Sequence, residues 1–542
     1  MTLCFRRMPA LRFQPPDRLM GATAFSEDPS VRGAMNVIRL VKANGWVWNE
    51  LREACDLDPR HGRRRQPGHW ELVTIAFVVS DYIDVQPFYD ETTEDLWVAC
   101  GFTTKPSYHT THRRLRELEG VADAFLNATG ALIRRARSQD PRVMAHVHFD
   151  NTEDETHAAL VHDCDPDACP HERTARRPAR QDTKAFRRER HAMAAMEPEE
   201  AEKQECSRQP DKRSIVVRDG VELQRVKIGT CWYLSRDVDA GTRAYMGARG
   251  ARRFWHGYYS AKAVDHFTGG AIPLVDSASR SEHAIFSDHY DLVVKLAGAQ
   301  PETAIGDRGL SIASAFEKCT ANGTAPIFSW RAGGRGVRED KETHDRHGVP
   351  RCKHCGAPST FVRFSAKRGA RIWFDCMGQA TPACAKTQSI ACKLDYRLLV
   401  PLWRTDPLYH ELKESHSQYE GTHDYWRDRY KVGADDIGVR PKICGLGFHR
   451  LRANAASFVE WLRICHREGW LGTPRRNTGA PKRAFKATGE NIAVRLANLR
   501  ARVGLMGAYG DAAFKVGHGL RTPPSNQPRG GPPEQIHLDI PF

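Results

Sequence analysis

Four cysteines within one short segment constrain the fold of this chain more than any other feature. They are Cys352, Cys355, Cys376 and Cys384, with two, twenty and seven residues between successive members. A Cys-x2-Cys pair forms a tight knuckle in which two thiolates reach one ion, and a second pair from a β-hairpin completes a tetrahedral site. Val362–Phe364 and Arg371–Phe374 are typical of the two hairpin strands. The spacing therefore predicts a closed, structural Zn²⁺ site in a zinc-ribbon-like unit at residues 346–393.

Two other arrangements of zinc ligands remain open from the sequence. Cys392, eight residues after Cys384, could replace it as the fourth ligand. A second group of ligand types follows the first predicted strand and could hold another zinc ion, alone or with Cys206. That group comprises His162, Cys164, Cys169 and His171. Unliganded side chains in a polar insertion are the alternative explanation of the second group.

The composition indicates a soluble globular protein with a polyanionic partner. The chain has 542 residues, of which 40% are hydrophobic, enough for roughly two to four domains. Its 81 Lys and Arg exceed its 66 Asp and Glu, and the resulting net charge of +15 favours a polyanion as partner. No apolar run is long enough to span a membrane, and no signal peptide is evident. With fifteen cysteines and no export signal, we expect a cytoplasmic protein whose clustered cysteines bind metal.

A helix-turn-helix pattern lies between Leu96 and Leu118. An apolar helix end meets Gly101, a Thr/Lys/Pro turn follows, and Ser107 can cap a second helix. The cations of that second helix that we expect to contact DNA are Arg113, Arg114 and Arg116. Its length and charge suit a recognition helix in a major groove. A helical hairpin with a solvated basic face is the alternative.

Two aspartates are each expected to end a strand and to present a carboxylate at a sheet edge. The alternating segment Val143–Asp150 predicts a strand that ends on Asp150, although Glu153, Asp154 or Glu155 could be the ligand instead. A short apolar run leads through Gly306 to Asp307, and Gly309 then permits a turn into a helix. Carboxylates at such edges are suitable ligands for Mg²⁺. Arg308, beside Asp307, is expected either to contact phosphate or to anchor the loop.

A third acid, Glu420, lies in a segment, 415–431, whose pattern predicts a helix. Arg427 is seven residues further on, close to the same face of such a helix. A carboxylate with a cation two turns away suits a site that binds metal and phosphate together. Glu411 and Glu414 are rival candidates for the same role.

The order of these motifs resembles the DDE transposases of bacterial insertion sequences. The segments that carry the resemblance are FDNTEDETHAAL, HGYYSAKAVDHFTGGAIPLV, AIGDRGL and the Glu-bearing helix, within residues 72–462. The family pattern around its last acid is Tyr-x2-Arg-x3-Glu-x6-Lys. Relative to Glu420, Lys413 stands at the Tyr position, His416 at the Arg position and Arg427 at the Lys position.

The resemblance implies a fold, a chemistry and a set of partners. It implies an α/β, RNase H-like core in which Asp150, Asp307 and Glu420 bind Mg²⁺ or Mn²⁺. Such a site would cleave the ends of an insertion sequence and join the freed 3′-OH to target DNA. It further implies double-stranded DNA as the partner, a homodimer on that DNA, and association with the bacterial nucleoid. The resemblance also supports a zinc-ribbon-like insertion between the second and third acids.

The expected domain organisation follows from these assignments. The segments are a flexible arm at 1–34, a helical DNA-binding domain at 35–138, the first part of the core at 139–345 with a charged insertion at 163–215, the zinc-ribbon-like insertion at 346–393, the last part of the core at 394–470, and a basic, Pro/Gly-rich region at 471–542. Two other functions are consistent with part of the pattern. One is a non-catalytic zinc-containing DNA-binding protein, and the other is an RNase H-like nuclease without strand transfer.

Overall fold

The computed structural model describes most of the chain between residues 29 and 472. The ranges are 29–54, 69–163, 213–246, 252–329, 344–432 and 445–472, with short gaps at 81, 83, 157, 159, 219, 229–230, 308, 346–347, 366–370, 392–396, 398–399, 401 and 403. The helices are α1 (Pro29–Ala43), α2 (Gly45–Ala54), α3 (Trp70–Val79), α4 (Val85–Glu91), α5 (Glu94–Ala99), α6 (Tyr108–Glu117), α7 (Ala122–Gln139), α8 (Glu282–Ala297), α9 (Ala313–Ala321), α10 (Pro407–Tyr430) and α11 (Leu446–Arg467). The strands are β1 (His146–Glu155), β2 (Leu160–His162), β3 (Arg213–Arg218), β4 (Val221–Ile228), β5 (Cys231–Ser235), β6 (Gly241–Met246), β7 (Arg252–Asp265), β8 (Ala271–Ser277), β9 (Thr303–Gly306), β10 (Ala325–Phe328), β11 (Ser359–Ser365), β12 (Arg371–Cys376) and β13 (Gln388–Ala391).

A curled, mixed sheet lies at the centre of the described part of the chain. Its order is β10-β9-β1-β7-β6, and β8 pairs with the second half of β7. β1, β9 and β10 are parallel neighbours, whereas β7 runs antiparallel to β1, β6 and β8. Because β7 has 14 residues, it can pair with β6 through its first half and with β8 through its second half. Helices α8 and α9 make the crossovers between β8, β9 and β10.

The two faces of β1 meet different helices because successive side chains of a strand alternate. Val147 and Phe149 are buried on the face towards α8, where the Phe149 ring lies 5.1 Å from that of Phe286. His148 and Asp150 are on the opposite face, towards α10. Apolar side chains of α8 thus cover one side of the sheet at β1, and α10 makes polar contacts on the other side.

Helix α11 connects the sheet to the N-terminal helices. One face of this helix is apolar, with residues at alternating intervals of four and three, and it is fully or almost fully buried. It consists of Leu451, Ala455, Phe458, Leu462 and Cys465. Phe458 contacts Phe125 of α7, while Trp461 donates a hydrogen bond to the Ala271 carbonyl at the start of β8. The helical N-terminal part and the sheet consequently share one hydrophobic core.

Several boundaries differ from the sequence expectations. Helix α1 begins at Pro29, inside the arm expected at 1–34. β1 continues to Glu155 rather than ending at Asp150, because its pairing with β7 extends to Gly257. The end of the charged insertion forms strand β3 in a separate antiparallel sheet, ordered β2-β5-β4-β3, that the sequence did not predict. Most of the insertion and all of 473–542 lie outside the described residues. Among the described helices, none combines the length and apolar character needed to span a bilayer.

Candidate metal centres

The four predicted cysteines converge on one point. Their sulfur atoms all lie within 4.8 Å of one another. The Sγ–Sγ distances are 3.3 Å for Cys355 and Cys376 and 3.7 Å for Cys352 and Cys384. These values exceed the length of a disulfide bond, about 2.0 Å, and are close to the separation of about 3.8 Å between two thiolates on one tetrahedral zinc ion. This cluster can therefore hold a metal ion such as zinc.

The local backbone structure explains why the four sulfur atoms lie close together. Gly356 adopts a left-handed φ of 70°, and its N–H donates to the Cys352 carbonyl, which closes the knuckle. Cys376 ends β12, where the predicted hairpin of β11 and β12 is confirmed and a third strand, β13, is added. Gln388 of β13 donates a hydrogen bond to Cys352 Sγ at 3.0 Å. Although burial acts in the opposite direction, hydrogen bonds from Gln388 and from two backbone N–H groups lower the pKa of Cys352 to about 6.

The other zinc arrangements are resolved only in part. Cys384, in a short 3-10 helix (Pro382–Ala385), is a member of the cluster, as predicted. Its rival Cys392 lies outside the described residues. Of the proposed second group, only His162 is described, and it lies in β2. The other residues of that group lie outside the described residues; they are Cys164, Cys169, His171 and Cys206.

Asp150 and Asp307 emerge beside each other on adjacent parallel strands. Phe149 of β1 and Gly306 of β9 are paired in register, so each aspartate immediately follows a paired residue. Beyond this point β9 ends, whereas β1 continues along β7. Asp150 is thus not at the end of its own strand, but at the position where its neighbour ends. From Asp150 onwards, β9 no longer pairs with β1 on that side, and 24% of the Asp150 side chain is exposed.

The Asp307 carboxylate is exposed and oriented by its own loop. Oδ1 accepts hydrogen bonds from the backbone N–H groups of Gly309 at 2.7 Å and Leu310 at 3.3 Å. A Cβ atom at Gly309 would lie 3.0 Å from Asp307 Oδ1 and 3.2 Å from Glu282 Oε2. The glycine therefore leaves space between two carboxylates. Glu282, the first residue of α8 and an ion-pair partner of Arg243, was not singled out from the sequence.

The Asp150 carboxylate is held from two directions. Its Oδ1 accepts a hydrogen bond from the Asn151 N–H at 2.8 Å, and its Oδ2 lies 3.1 Å from His423 Nε2 of α10. Burial alone would raise the pKa of Asp150, but the contacts with His423, the nearby His416 and the Asn151 N–H hold it below its ordinary value. Asp150 is therefore ionised at neutral pH, as a metal ligand must be.

Histidines that the sequence did not predict surround the two aspartates. His148 lies between His266, with ring nitrogens 2.9 Å apart, and His416, with ring nitrogens 3.3 Å apart. Burial and the nearby Lys413 lower the pKa of His416, whereas Asp150 and Asp307 raise it, so both acids lie close enough to interact with its charged form. Burial also lowers the pKa of His266 to about 4. These imidazoles are consequently neutral at pH 7.

Position 420 lies on the side of α10 that faces the sheet. At 100° per residue it is about 40° around the helix from His416 and about 60° from His423, and both of these residues contact β1. Glu411 and Glu414 are exposed on other faces of the helix, which favours Glu420 over these two rivals. The side chain of Glu420 itself is not among those described.

The alternatives to Asp150 on β1 have different surroundings. Asp154 is buried, with 2% of its side chain exposed, and its Oδ2 lies 3.0 Å from His449 Nδ1 of α11. That pair joins β1 to α11 in the interior of the protein, so Asp154 is not in the open environment that a catalytic metal ligand needs. The side chains of Glu153 and Glu155 lie outside the described part.

Two helices and a turn occupy the predicted helix-turn-helix segment, and the arginines of the second helix are paired. Helices α5 and α6 flank Gly101, which has a φ of 90°, and Ser107 caps α6 by accepting the Thr110 N–H. The ion pairs are Arg113 and Arg114 with Glu117, and Arg116 with Glu119. Of the other expected DNA contacts, Arg427 pairs with Asp424, and Arg308 lies outside the described residues.

The two candidate centres differ in chemistry and in how closely their ligand atoms approach one another. Among the described residues, the cysteines are the one group whose ligand atoms meet closely enough to hold an ion as they stand; the aspartates form no such group with the described histidines. A scan against protein-family models finds no match, and a search of curated proteins finds none either.

Proposed function

We propose that this chain is a DNA transposase of the DDE type, with Asp150, Asp307 and Glu420 as its metal-binding acids. One observation carries the proposal: Asp150 and Asp307 follow paired residues of adjacent parallel strands, and α10, which bears Glu420, packs across the same edge. The chain thus brings to one edge of the sheet the positions of three acids that are more than 100 residues apart in sequence.

The sheet supports an RNase H-like core. β1, β7 and β8 form consecutive antiparallel pairs, and the crossovers through α8 and α9 then add β9 and β10 in parallel on the other side of β1. The zinc-ribbon-like unit enters the chain after β10 and before α10, between the second and third acids. This is where the resemblance to DDE transposases places an insertion.

The donor chemistry fits divalent cations. Asp150 and Asp307 offer hard carboxylate oxygens, which are the ligands that Mg²⁺ and Mn²⁺ prefer. When bound, such ions would activate a water molecule or a 3′-OH and stabilise charge on the phosphate and the departing oxygen. The protein's own contribution is to orient the carboxylates: His423 and the Asn151 N–H hold Asp150, and the Gly309 N–H holds Asp307.

We infer that the thiolate cluster binds one structural zinc ion. Four cysteines leave no coordination site for a substrate, so the ion would stabilise the small three-stranded unit around it. The non-catalytic alternative function accounts for this centre, but gives no reason for the second centre of carboxylates.

The charge of the chain supports DNA as the partner. Residues 346–393 contain nine Lys or Arg and a single acid, Asp375. Arg351, Lys353 and Lys386 are exposed around the cysteine cluster. Even with the two negative charges of a zinc tetrathiolate, this unit remains strongly cationic. A cationic unit and a carboxylate site in the same chain are what an enzyme that cuts a polyanion requires.

A cleavage and joining assay tests the proposal. The full-length protein is incubated with Mg²⁺, target DNA and oligonucleotides that represent the inverted repeats flanking its coding sequence. We expect cleavage at the repeat ends and joined products, both lost in Asp307→Asn while DNA binding is retained. Asp291→Asn is the matched control, because Asp291 is an exposed acid paired with Lys318 on α9. Cleavage without joined product would favour the nuclease, and no cleavage by the wild type would favour the non-catalytic protein.

A further inference from the structure

A lysine is completely buried directly beside Asp150. Lys262 of β7 is the register partner of Asp150 of β1, and its side chain is 0% exposed. Burial lowers the pKa of Lys262 to about 7, although Asp154 and Asp150 attract its charged form. A buried amine in a sheet lowers stability unless its hydrogen bonds are made.

Lys262 contacts Asp150 through one intermediate residue. Its Nζ lies 2.9 Å from Nδ1 of His423, and Nε2 of the same imidazole lies 3.1 Å from Asp150 Oδ2. His423 is itself buried, with 8% of its side chain exposed. The three residues come from β7, α10 and β1, so the chain of contacts crosses from the sheet to the helix and back.

The direction of these contacts follows from the groups involved. A lysine nitrogen can donate N–H whether it is an amine or an ammonium, and a donor at Nδ1 makes that ring nitrogen the acceptor. A neutral imidazole with an acceptor at Nδ1 carries its proton on Nε2. Nε2, which then carries the proton, lies 3.1 Å from Asp150 Oδ2, within ion-pair distance, while Oδ1 accepts a hydrogen bond from the Asn151 N–H. Each carboxylate oxygen thus has one N–H-bearing nitrogen close to it and keeps lone pairs for a cation.

We propose that Lys262 and His423 are positioning residues, which together hold the Asp150 carboxylate in the orientation that binds a divalent cation. Lys262 selects the tautomer of His423, and His423 orients the carboxylate. This inference rests on the proposed function, because it takes Asp150 as a metal ligand. Partners of metal ligands of this kind typically change metal affinity by about 10- to 100-fold when they are removed.

Mn²⁺ binding to the full-length, zinc-loaded protein tests the inference. Free Mn²⁺ is measured by electron paramagnetic resonance during titration, and thermal unfolding is followed without Mn²⁺. Lys262→Met removes the donor but keeps an unbranched side chain, and His423→Gln removes the imidazole. Glu460→Gln is the matched control: Glu460 is the third acid that attracts Lys262, yet it bonds Trp426 and Ala271 instead of the Asp150 chain.

We expect Lys262→Met and His423→Gln to raise the Mn²⁺ dissociation constant about tenfold or more. Lys262→Met should also lower the thermal stability, because it leaves the buried His423 Nδ1 without its donor. The Mn²⁺ dissociation constant of Glu460→Gln should stay within about twofold of the wild-type value.

Wild-type affinity in both test variants, with binding lost in Asp150→Asn, would overturn the positioning role and leave the proposed function intact. Equal loss of affinity and stability in all three variants would mean a structural role. If Asp150→Asn binds Mn²⁺ normally, the proposed function fails first. Should Lys262→Met not fold, His423→Gln decides.

Discussion

Lys413 donates a hydrogen bond from Nζ to the Gly306 carbonyl oxygen at 2.7 Å, and thereby attaches α10 to the end of β9. Gly306 immediately precedes Asp307, and Lys413 precedes position 420 by two turns of the helix. In the transposase pattern a tyrosine stands at the position of Lys413. This contact gives the lysine a distinct role, because it fixes the helix of the third acid relative to the loop of the second.

Lys413→Met should slow DNA cleavage more than it destabilises the protein. Loss of one partly buried hydrogen bond costs about 1–2 kcal/mol of unfolding free energy, whereas misplacement of α10 affects the acids directly. Urea unfolding and single-turnover cleavage measure the two effects. Lys318→Met, which removes a surface ion pair on α9, serves as the control. Cleavage at the wild-type rate in Lys413→Met would show that this contact does not position the site.

Removal of one cysteine should remove the zinc ion. We expect one zinc per chain by atomic absorption in the wild type and much less in Cys352→Ser, with a loss of folded structure in the unit at 346–393. Cys319→Ala is the matched control, because Cys319 is a buried cysteine of α9 outside the cluster. Zinc content that is unchanged in Cys352→Ser would exclude the tetrathiolate site.

The free energy of unfolding should fall as the pH decreases from about 6.5 to 4. Burial lowers the pKa of His289 from 6.5 to about 4, although its hydrogen bond to the Ile272 carbonyl opposes the shift. Between these two values the unfolded chain binds a proton that the folded chain does not, so stability is complete above pH 6.5 and is lost towards pH 4. His289→Gln should reduce the slope by about 1.4 kcal/mol per pH unit near pH 5. Urea unfolding at a series of pH values measures it, and equal slopes in both proteins would contradict the assignment.

The arginines of α6 should respond to the loss of their acidic partner. Arg113 and Arg114 share Glu117, and surface pairs of this kind contribute little to stability. If the arginines contact phosphates, Glu117→Ala should tighten end-specific DNA binding, and the double variant Arg113→Ala, Arg114→Ala should weaken it. Arg142→Ala, which breaks an exposed pair with Asp140, is the control. Fluorescence anisotropy at several salt concentrations measures the affinities. Unchanged binding in both α6 variants would remove this helix from the interface.

Local patterns predicted the elements that depend on local interactions. The predicted cap at Ser107 is confirmed. The helix after Ser281 and the buried stripe of α11 likewise follow from short-range hydrogen bonds and from periodicity. The β11–β12 hairpin follows from the cysteine spacing in the same way. These features need no knowledge of distant segments.

The surroundings of the acids could not be predicted, because they depend on distant pairing. The length of β1 is decided by β7, which begins about 100 residues later. Lys262 and His423 meet across 161 residues, and nothing in either local sequence indicates the other. Glu282 is the exception: its place as the first residue of a helix follows from the helix-capping Ser281 that precedes it.

A crystal structure with Mn²⁺ tests most directly whether Asp150 and Asp307, together with Glu420, hold divalent cations. Anomalous scattering at the manganese edge distinguishes Mn²⁺ from water, and the zinc edge separately identifies the cysteine site. We predict manganese within about 2.0–2.4 Å of carboxylate oxygens of both aspartates at the end of β9. Manganese bound elsewhere, with both aspartates contacting only protein, would contradict the account.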